Sequence, residues 1–372
     1  MKVLVKTLHG LEDLLLQELQ TIGFTHLQKR KRAIACEGSL AQVYQANLEL
    51  RTALRILLPV YDFQARNEKE LYDKIYSFDW SEYLDKRQTF AIDNTVFSEY
   101  FRHSRFAALK TKDAIVDQFR DKYGMRPSID TERPDVLLNL HAFKDRFSVS
   151  LDSSGDPLNQ RGYREKGHRA PLNEILAAGM IKLSGWRPET PLIDPFCGSG
   201  TILIEAAMIA REIAPNLHRK DFGFVNWENF QPMLWNRIKM DVRAKAKNKE
   251  LKISGGDIDP YAVSMTQRSL KNIGIRREDI KVRKIDFLHH HPLHKTGMII
   301  TNPPYGERMG SDIHELYSKM GDHLRKNYPG YTAWILSSNK KAFKQLHLKP
   351  NSKIELYNGS LECEFCEYQL FV

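Results

Sequence analysis

The sequence predicts an α/β protein, in which a small α+β half precedes a parallel sheet with helices on both faces. Short strand-like segments alternate with helical ones over residues 1–65. A second alternation, built around one long helix, covers 66–158, and from about residue 190 short apolar strands alternate with helices. A chain of 372 residues is long enough for two or three domains, and we expect them at 1–65, 66–158 and 159–372.

The first unit has the spacing of a small split β-α-β motif. Leucines recur at helical spacing after Gly10, and Gly23 stands where a helix end is expected. The predicted elements are a strand at 2–6, a helix between Gly10 and Gly23, a strand at 27–36, a helix at 39–50 and a strand at 55–63.

The second unit contains a long helix whose first turns are basic. We expect helices at 68–77 and 105–123 and strands at 88–95, 135–141 and 146–151. Cations at a helix start oppose its macrodipole, which favours an external phosphate as their partner, although a charge run is more often a solvated face. The residues predicted to hold phosphates of a nucleic acid here are Arg102, Arg105, Lys110 and Lys112.

A polar and basic bridge at 159–169 is interpreted as a linker into the last domain. Its residues Arg161 and Arg164 are predicted to contact the same nucleic acid. Pro171 fits the first position of the next helix. The parallel strands predicted beyond it are 191–194, 252–255, 298–301 and 332–336.

The first motif that carries chemistry is an apolar strand ending in Asp194, followed by a turn with Gly198 and Gly200. Ligands of open α/β sheets bind beyond the carboxyl ends of the strands, and glycines let the backbone approach them. A dinucleotide site uses a similar turn, but a carboxylate before the glycines repels pyrophosphate. That carboxylate suits the cationic amino acid end of S-adenosylmethionine.

Acids also follow two later strands. Asp257 is placed to accept both hydroxyls of a ribose and Ile258 to lie on an adenine face, although an Asp-Pro pair at 259–260 also commonly begins a turn. Asp286 could accept a hydrogen bond from an adenine amino group, with the backbone of Phe287 beside the ring. Alone, this last pattern is an ordinary strand–loop junction.

The fourth motif, Asn302-Pro303-Pro304-Tyr305, also follows an apolar strand. Consecutive prolines stiffen the loop and remove two donors, so carbonyl oxygens and the Asn302 amide oxygen remain as acceptors. Such acceptors bind the two hydrogens of an exocyclic amine and free its lone pair for attack on a methyl group held in line. Tyr305 can stack on a base taken out of its helix. We predict these four residues to be catalytic, without a metal.

These motifs resemble those of the THUMP-domain RNA guanine-N2 methyltransferases, in particular the bacterial group that makes N2-methylguanosine in large-subunit ribosomal RNA. The resemblance rests on Asp-Pro-Phe-Cys-Gly-Ser-Gly-Thr at 194–201, Gly-Asp-Ile-Asp-Pro at 256–260 and Thr-Asn-Pro-Pro-Tyr-Gly-Glu-Arg at 301–308. It covers essentially the whole chain. It implies a ferredoxin-like domain, a THUMP RNA-binding domain and a Rossmann-like domain whose seven-stranded sheet has one antiparallel strand and a closing C-terminal hairpin.

The resemblance also implies the cofactor, the substrate and the residues that hold them. It implies S-adenosylmethionine as methyl donor and structured RNA, with 23S rRNA foremost, as substrate. The cofactor contacts that it implies are Asp194, Phe196, Gly198, Gly200, Asp257, Ile258, Asp286 and Phe287. Three alternatives stay open: a tRNA guanine-N2 methyltransferase, a DNA amino-methyltransferase with the same loop, and an RNA-binding or assembly factor without activity.

Composition favours a cytoplasmic protein with a polyanionic partner. Lys and Arg number 56 against 46 Asp and Glu, a net charge of +10. No segment has the uncharged apolar length of a membrane span, and we expect neither a signal peptide nor a membrane partner. Four unevenly spaced cysteines indicate a reducing compartment. The oligomeric state stays open.

Two patterns are interpreted as structural. Cys363 and Cys366 lie three positions apart on a predicted strand, so they face opposite sides and make a poor zinc site. The 63 residues that separate Asp194 from Asp257 exceed the needs of a doubly wound unit and indicate an added helical layer. Its aromatic residues, expected in a core rather than on RNA, are Trp227, Phe230 and Trp235.

Overall fold

The computed structural model describes residues 1–101, 103–164, 171–305 and 312–371. The N-terminal half is built on one eight-stranded sheet. Its strands are β1 (Lys2–Thr7), β2 (Thr25–Arg30), β3 (Ala33–Glu37), β4 (Ala53–Gln64), β5 (Thr89–Phe97), β6 (Ser128–Ile129), β7 (Val136–Phe143) and β8 (Arg146–Asp152). Its helices are α1 (Glu12–Ile22), α2 (Leu40–Glu49), α3 (Glu68–Ser77) and α4 (Ser104–Tyr123).

Local sequence signals account for the ends of these helices. Gly23 closes α1 with φ +94°, and its N–H donates to the carbonyls of Leu19 and Gln20. Ser39 begins α2 in a capping box with Gln42. Gly124, with φ +65°, closes α4, so the helix ends predicted at both glycines are confirmed.

One predicted strand is in fact a hairpin. The segment expected to be a single strand at 27–36 divides into β2 and β3, which pair antiparallel with Arg30 opposite Ala33. A two-residue hairpin turn requires positive φ, and Arg32 adopts φ +57°. The run of basic residues therefore marks a turn and an exposed edge strand rather than a continuous strand.

The eight-stranded sheet runs without a break through both N-terminal units. Its strand order is β2-β3-β1-β4-β8-β7-β5-β6. The 12-residue strand β4 pairs with β1 on one side and with β8 on the other. Leu15 of α1 and Phe119 of α4 belong to one hydrophobic core, so the two N-terminal units pack as one body.

The C-terminal half holds a seven-stranded sheet. Its strands are β9 (Leu192–Asp194), β10 (Ile253–Asp257), β11 (Lys281–Lys284), β12 (Gly297–Thr301), β13 (Tyr331–Ser337), β14 (Ser352–Asn358) and β15 (Leu361–Gln369). Its helices are α5 (Glu174–Leu183), α6 (Thr201–Ala210), α7 (Pro232–Ala244), α8 (Pro260–Asn272), α9 (Asp312–Asn327) and α10 (Lys340–Lys344). The order is β11-β10-β9-β12-β13-β15-β14, and β15 alone runs against its neighbours. The single antiparallel strand and the closing hairpin are confirmed.

The strand order of this sheet reverses between β9 and β12. From β9 the chain builds outward through β10 and β11, and it then crosses back to place β12 and β13 on the other side. A crevice opens beyond the carboxyl ends of the strands at such a reversal. Topology alone thus fixes where a ligand would bind.

The described part of the bridge before this domain, 159–164, is packed rather than a free linker. Arg161 and Tyr163 are buried to 1% exposure. The following helix begins at Glu174 instead of Pro171, because the Asn173 side chain caps it by accepting from the N–H groups of Ile175 and Leu176.

The segment between β9 and β10 joins the two halves. Helix α7 is the added helical layer, and Trp227 and Trp235 are buried in a core, as expected. That core belongs to the N-terminal half, where the Trp235 and Phe224 rings contact Tyr44 with centroids 5.9 and 4.4 Å away. Within the ranges described above, no helix is long and apolar enough to cross a membrane.

Candidate active site

Four neighbouring parallel strands bring the predicted motifs to one edge of the C-terminal sheet. Asp194 ends β9 and Asp257 ends β10, while Asp286 follows β11 and Asn302 follows β12. The register pairs Gly255 with Asp194, so Asp257 lies on the adjacent strand, two residues further toward the carboxyl end than Asp194. The four motifs, separated by up to about a hundred residues in sequence, therefore meet at the reversal of strand order.

Asp194 is buried at the centre of this edge. It is 1% exposed, accepts a hydrogen bond from the Thr301 hydroxyl at 2.7 Å and accepts a longer one from the Phe196 N–H at 3.3 Å. Burial raises the pKa of this carboxyl to about 7, since removing the ionised form from water is costly. Asp194 thus joins the glycine turn to the strand that carries Asn302.

The glycine turn is held by the neighbouring strand and helix. The Gly198 N–H donates to the Asp257 carboxylate at 2.8 Å, and the Gly198 carbonyl accepts from the Thr266 hydroxyl at 2.9 Å. Gly200 has φ +79°, and a Cβ there would lie 2.3 Å from Thr266 Cγ2. A Cβ on Gly198 would meet no described atom within 4 Å, so the backbone there borders open space. This combination fits a ligand that lies against the main chain.

The second and third acids are held by their own turns. One Asp257 oxygen accepts from Gly198 and the other from the Asp259 N–H at 2.9 Å, which fixes the orientation of the carboxylate. Ile258 beside it is 67% exposed, a large apolar side chain presented to solvent at a strand end. Asp286 accepts from the Leu288 N–H at 2.9 Å.

The aromatic residues near these acids differ in exposure. Phe287 is 3% exposed, so its ring is core and only its backbone borders the edge. The Phe196 ring contacts it at a centroid distance of 5.1 Å and is itself only partly buried. Phe196 is therefore the ring that can still reach a ligand.

Asn302 presents an acceptor without a donor. Its Oδ1 is buried and accepts no hydrogen bond from any residue that the structure describes. A buried polar atom without a partner is costly, and such atoms concentrate at binding sites. Because Thr301 is bonded to Asp194, the backbone of Asn302 directly after it is tied to the strand end that leads into the glycine turn.

Tyr305 is fixed by the closing hairpin. Its hydroxyl accepts a hydrogen bond of 2.7 Å from Asn358 Nδ2 at the end of β14. Burial raises its pKa to about 12, so the phenol stays protonated near neutral pH. The partner Asn358 was not anticipated, since no local pattern marks it, whereas Thr301 could have been found as the residue before the Asn-Pro-Pro-Tyr motif.

Comparison with known proteins identifies the kind of site. The family model described as RMKL-like, methyltransferase domain, matches residues 161–367, more than half of the chain. The chain belongs to this methyltransferase family. A THUMP domain model matches residues 65–152, and an RlmL ferredoxin-like domain model matches 2–57. The predicted fold class and the family resemblance are confirmed.

Curated relatives of this methyltransferase are about twice its length. Ribosomal RNA large subunit methyltransferase K/L of Shewanella amazonensis is 37% identical over 97% of this chain but only 52% of that protein. The protein of the same name from Shewanella sp. strain MR-4 is 38% identical, with the same coverage. The chain thus spans about half the length of the curated relatives it matches.

Solved structures match the methyltransferase over nearly its full length. The crystal structure of SMU.472 complexed with SAH gives a TM-score of 0.88 at 29% identity and covers 99% of this chain and 97% of that one. A possible methylase from Clostridium difficile 630 gives 0.88 at 31% identity with the same coverage.

Two of the residues predicted to bind RNA are structural instead. Arg161 is 1% exposed; its guanidinium pairs with Glu205 at 3.3 Å and donates to the Arg51 carbonyl at 2.6 Å. Arg164 pairs with Glu174 at 2.6 Å and donates to the Leu172 carbonyl. Both side chains bind protein groups, so neither prediction of RNA contact holds. Arg164 also donates to Thr201 at the start of α6, which makes it a support of the glycine turn.

The other predicted RNA contacts lie on α4. Arg105 is exposed, and Lys110 Nζ lies 5.7 Å from the Phe106 ring centroid. Lys112 pairs with Asp113 at 2.8 Å. Arg102 lies outside the described residues.

The cysteine pair is structural. Cys363 and Cys366 are buried in two different hydrophobic cores, one on each side of the sheet. Among the residues that the structure describes, no group of three His, Cys, Asp or Glu side chains could hold a metal ion.

Proposed function

We propose that this methyltransferase transfers a methyl group from S-adenosylmethionine to the exocyclic N2 of a guanine in large-subunit ribosomal RNA. The observation that carries the proposal is the unpartnered, buried Oδ1 of Asn302, held beside the glycine turn through Thr301 and Asp194. An acceptor of this kind calls for a ligand that brings an N–H donor.

The residues of the edge fit S-adenosylmethionine. The cofactor, when bound, supplies an electrophilic methyl group on a sulfonium with a good leaving group. Asp194 and the open backbone at Gly198 would hold its cationic amino acid end, and Asp257 would accept from its ribose hydroxyls. Ile258 is exposed to receive a flat ring, with Asp286 as acceptor for an amino group. The similar structure of SMU.472 was solved with SAH, the product that S-adenosylmethionine leaves after methyl transfer, which supports this assignment.

The Asn302 loop would position the amine that is methylated. Its Oδ1 and the carbonyls of the rigid Pro303-Pro304 segment would accept hydrogen bonds from the two N–H groups of the amine. These bonds leave the nitrogen lone pair free for in-line attack on the methyl group. Tyr305 is fixed by Asn358 and presents its partly buried ring beside this loop. Positioning carries most of the acceleration.

The choice of RNA rests on the N-terminal half and on the relatives. The chain matches a THUMP domain model, and its curated relatives are named for ribosomal RNA of the large subunit. Arg105 at the start of α4 is exposed and suits a phosphate, and the chain's charge surplus of +10 suits a polyanion. An RNA substrate and four cysteines, all free, support a cytoplasmic location.

The experiment presents the purified protein and deuterated methyl donor with three substrates: large-subunit rRNA, tRNA and DNA, each from cells that lack the gene. Mass spectrometry of the digested nucleosides should show labelled N2-methylguanosine in the rRNA alone, and Asn302→Ala should give none. Label confined to tRNA would redirect the substrate, and N6-methyladenine in DNA would overturn the proposal. Absence of label from all three would favour a binding factor.

A further inference from the structure

Two exposed phenylalanines stand side by side at one end of the N-terminal sheet. Phe97 ends β5 and Phe143 ends β7, and the two are partners in a parallel register, so their side chains point to the same face. They are 65% and 57% exposed. Grouped exposure of this kind marks a binding surface rather than the scattered apolar residues of an ordinary surface.

Cations accompany the exposed rings. Lys144 Nζ lies 5.8 Å from the Phe143 ring centroid, and the Lys144 backbone N–H donates to the Phe97 carbonyl at 2.8 Å. Neither Lys144 nor Arg146 forms an ion pair with any residue in the described ranges, so both cations are available to an external anion.

The same face continues from Phe143 into an open depression of about 510 Å³. His141 and Arg146 line it, together with Ser148 and one carboxylate, Asp62. Phe147 follows Arg146 along β8 and so points to the opposite face, where it packs edge-on against Phe101 at 5.1 Å in the core. Phe97, Phe143 and the depression therefore form one surface, whereas α4 packs through Ala107 into the core on the other face of the sheet.

We propose that Phe97 and Phe143 are a stacking platform for unpaired bases of the RNA, whose phosphates bind Lys144 and Arg146. Rings interleaved with cations are typical of surfaces that bind single strands, because every base has a face to stack and every nucleotide a charge. Duplex RNA keeps its base faces stacked internally and could engage only the cations. The charge of the surface disfavours a second copy of this basic chain as its occupant. The inference rests on the proposed RNA substrate and specifies its state at this surface: unpaired rather than duplex.

The test measures binding of the full chain to a 12-nucleotide single-stranded RNA and to a 12-base-pair duplex by fluorescence anisotropy. Phe97→Ala and Phe143→Ala should each weaken binding of the single strand by about fivefold to a hundredfold, while the duplex is unaffected. Phe143→Trp keeps an aromatic face and should bind the single strand as tightly as the wild type. Phe371→Ala is the matched control, since Phe371 is 78% exposed and follows the last strand of the other sheet.

A strand with abasic nucleotides separates bases from phosphates. Wild-type protein should bind this strand as weakly as the alanine variants bind the intact one, and the variants should lose nothing further on it. Equal binding of abasic and intact strands, or equal losses on duplex and single strand, would overturn the platform. Dissociation of a dimer in Phe97→Ala, seen by sedimentation, would instead assign the rings to a protein interface. The binding assay does not measure methylation, so the two proposals can fail separately. If the alanine variants bind the single strand normally and the wild type methylates rRNA, only the stacking platform is ruled out. If the wild type binds no RNA at all, both proposals are ruled out.

Discussion

The Thr301 hydroxyl donates a hydrogen bond of 2.7 Å to the Asp194 carboxylate and so joins the ends of β12 and β9. This bond spans the point at which the strand order reverses. Both residues are almost fully buried, at 2% and 1% exposure, where water does not compete for the bond. Because Asn302 follows Thr301 directly, the bond sets the position of its amide relative to the glycine turn.

Replacing Thr301 should therefore reduce turnover without unfolding the protein. Thr301→Val keeps the shape but leaves Asp194 without its hydroxyl donor, at a cost of about 1 to 3 kcal/mol in the free energy of unfolding. A displaced Asn302 loop should lower kcat by about ten- to a hundredfold. Steady-state kinetics and urea unfolding measure the two effects, and Thr301→Ser is the control that keeps the donor. A valine variant with wild-type kcat would show that the bond does not position the loop.

Asp194 should make the stability of the protein depend on pH. Its folded-state pKa of about 7 lies above the ordinary value of 3.8. The protonated form is thus favoured by folding, and the stability it contributes is complete below about pH 4 and is lost as pH rises through about 7. Asp194→Asn cannot ionise, so from pH 5 to pH 8 its free energy of unfolding should rise by about 1 to 3 kcal/mol relative to wild type.

Ionisation of Asp194 should strengthen cofactor binding, although it weakens the stability of the folded protein. The ionised carboxylate attracts the cationic end of S-adenosylmethionine, so wild-type affinity measured by calorimetry should strengthen as pH rises through about 7. The asparagine variant should show weaker binding with little pH dependence. A wild-type affinity that is flat over this range would mean that Asp194 does not meet that charge.

Asn302→Ala should change activity and stability in opposite directions. The variant loses the acceptor for the amine, so kcat should fall at least about a hundredfold while the dissociation constant of the cofactor stays unchanged. It also removes a buried oxygen without a partner, so the free energy of unfolding should stay constant or rise by up to about 1 kcal/mol. Activity and urea unfolding on one preparation test both. Normal methylation by the variant would rule out the proposed role.

Local patterns predicted where the motifs meet, because each motif is short and stands at the end of a strand. Asp194, Asp257 and Asn302 each follow an apolar run, and parallel strands bring such ends to one edge whatever their separation in sequence. The sheet reversal needs no information beyond the order of strands. These features follow from periodicity and turn chemistry, which a single sequence displays.

Long-range partners account for what the sequence did not predict. Arg161 lies in a polar, glycine-containing segment typical of a linker, yet it is buried because Glu205 and the Arg51 carbonyl, 44 and 110 residues away, satisfy its guanidinium. Trp235 was expected in a core, but nothing near it indicates that the core is that of the N-terminal half. Burial of a charged or aromatic residue depends on what the fold brings to it.

Asn358 should support catalysis through Tyr305 without touching the cofactor. Its Nδ2 holds the Tyr305 hydroxyl at 2.7 Å from a hairpin 53 residues away. Asn358→Leu should lower kcat by about tenfold and leave the dissociation constant of the cofactor unchanged. Tyr305→Phe removes the same bond, so the double variant should be no worse than the poorer single variant. Additive losses would show that the two residues act independently.

The cations of α4 should control how RNA binding depends on salt. Arg105 is exposed and Lys110 stands over the Phe106 ring, whereas Lys112 already pairs with Asp113 at 2.8 Å. Each phosphate contact that is lost should reduce the slope of log K against log salt by about 0.7 to 0.9. The double variant Arg105→Ala/Lys110→Ala should therefore bind large-subunit rRNA more weakly and with a slope lower by about 1.5, as measured by filter binding at several salt concentrations. Lys112→Ala is the contrast within the same helix and should change the slope less, because Asp113 already neutralises that ammonium. An unchanged slope in the double variant would mean that the phosphates bind another face of the protein, because the loss of phosphate contacts is what lowers the slope.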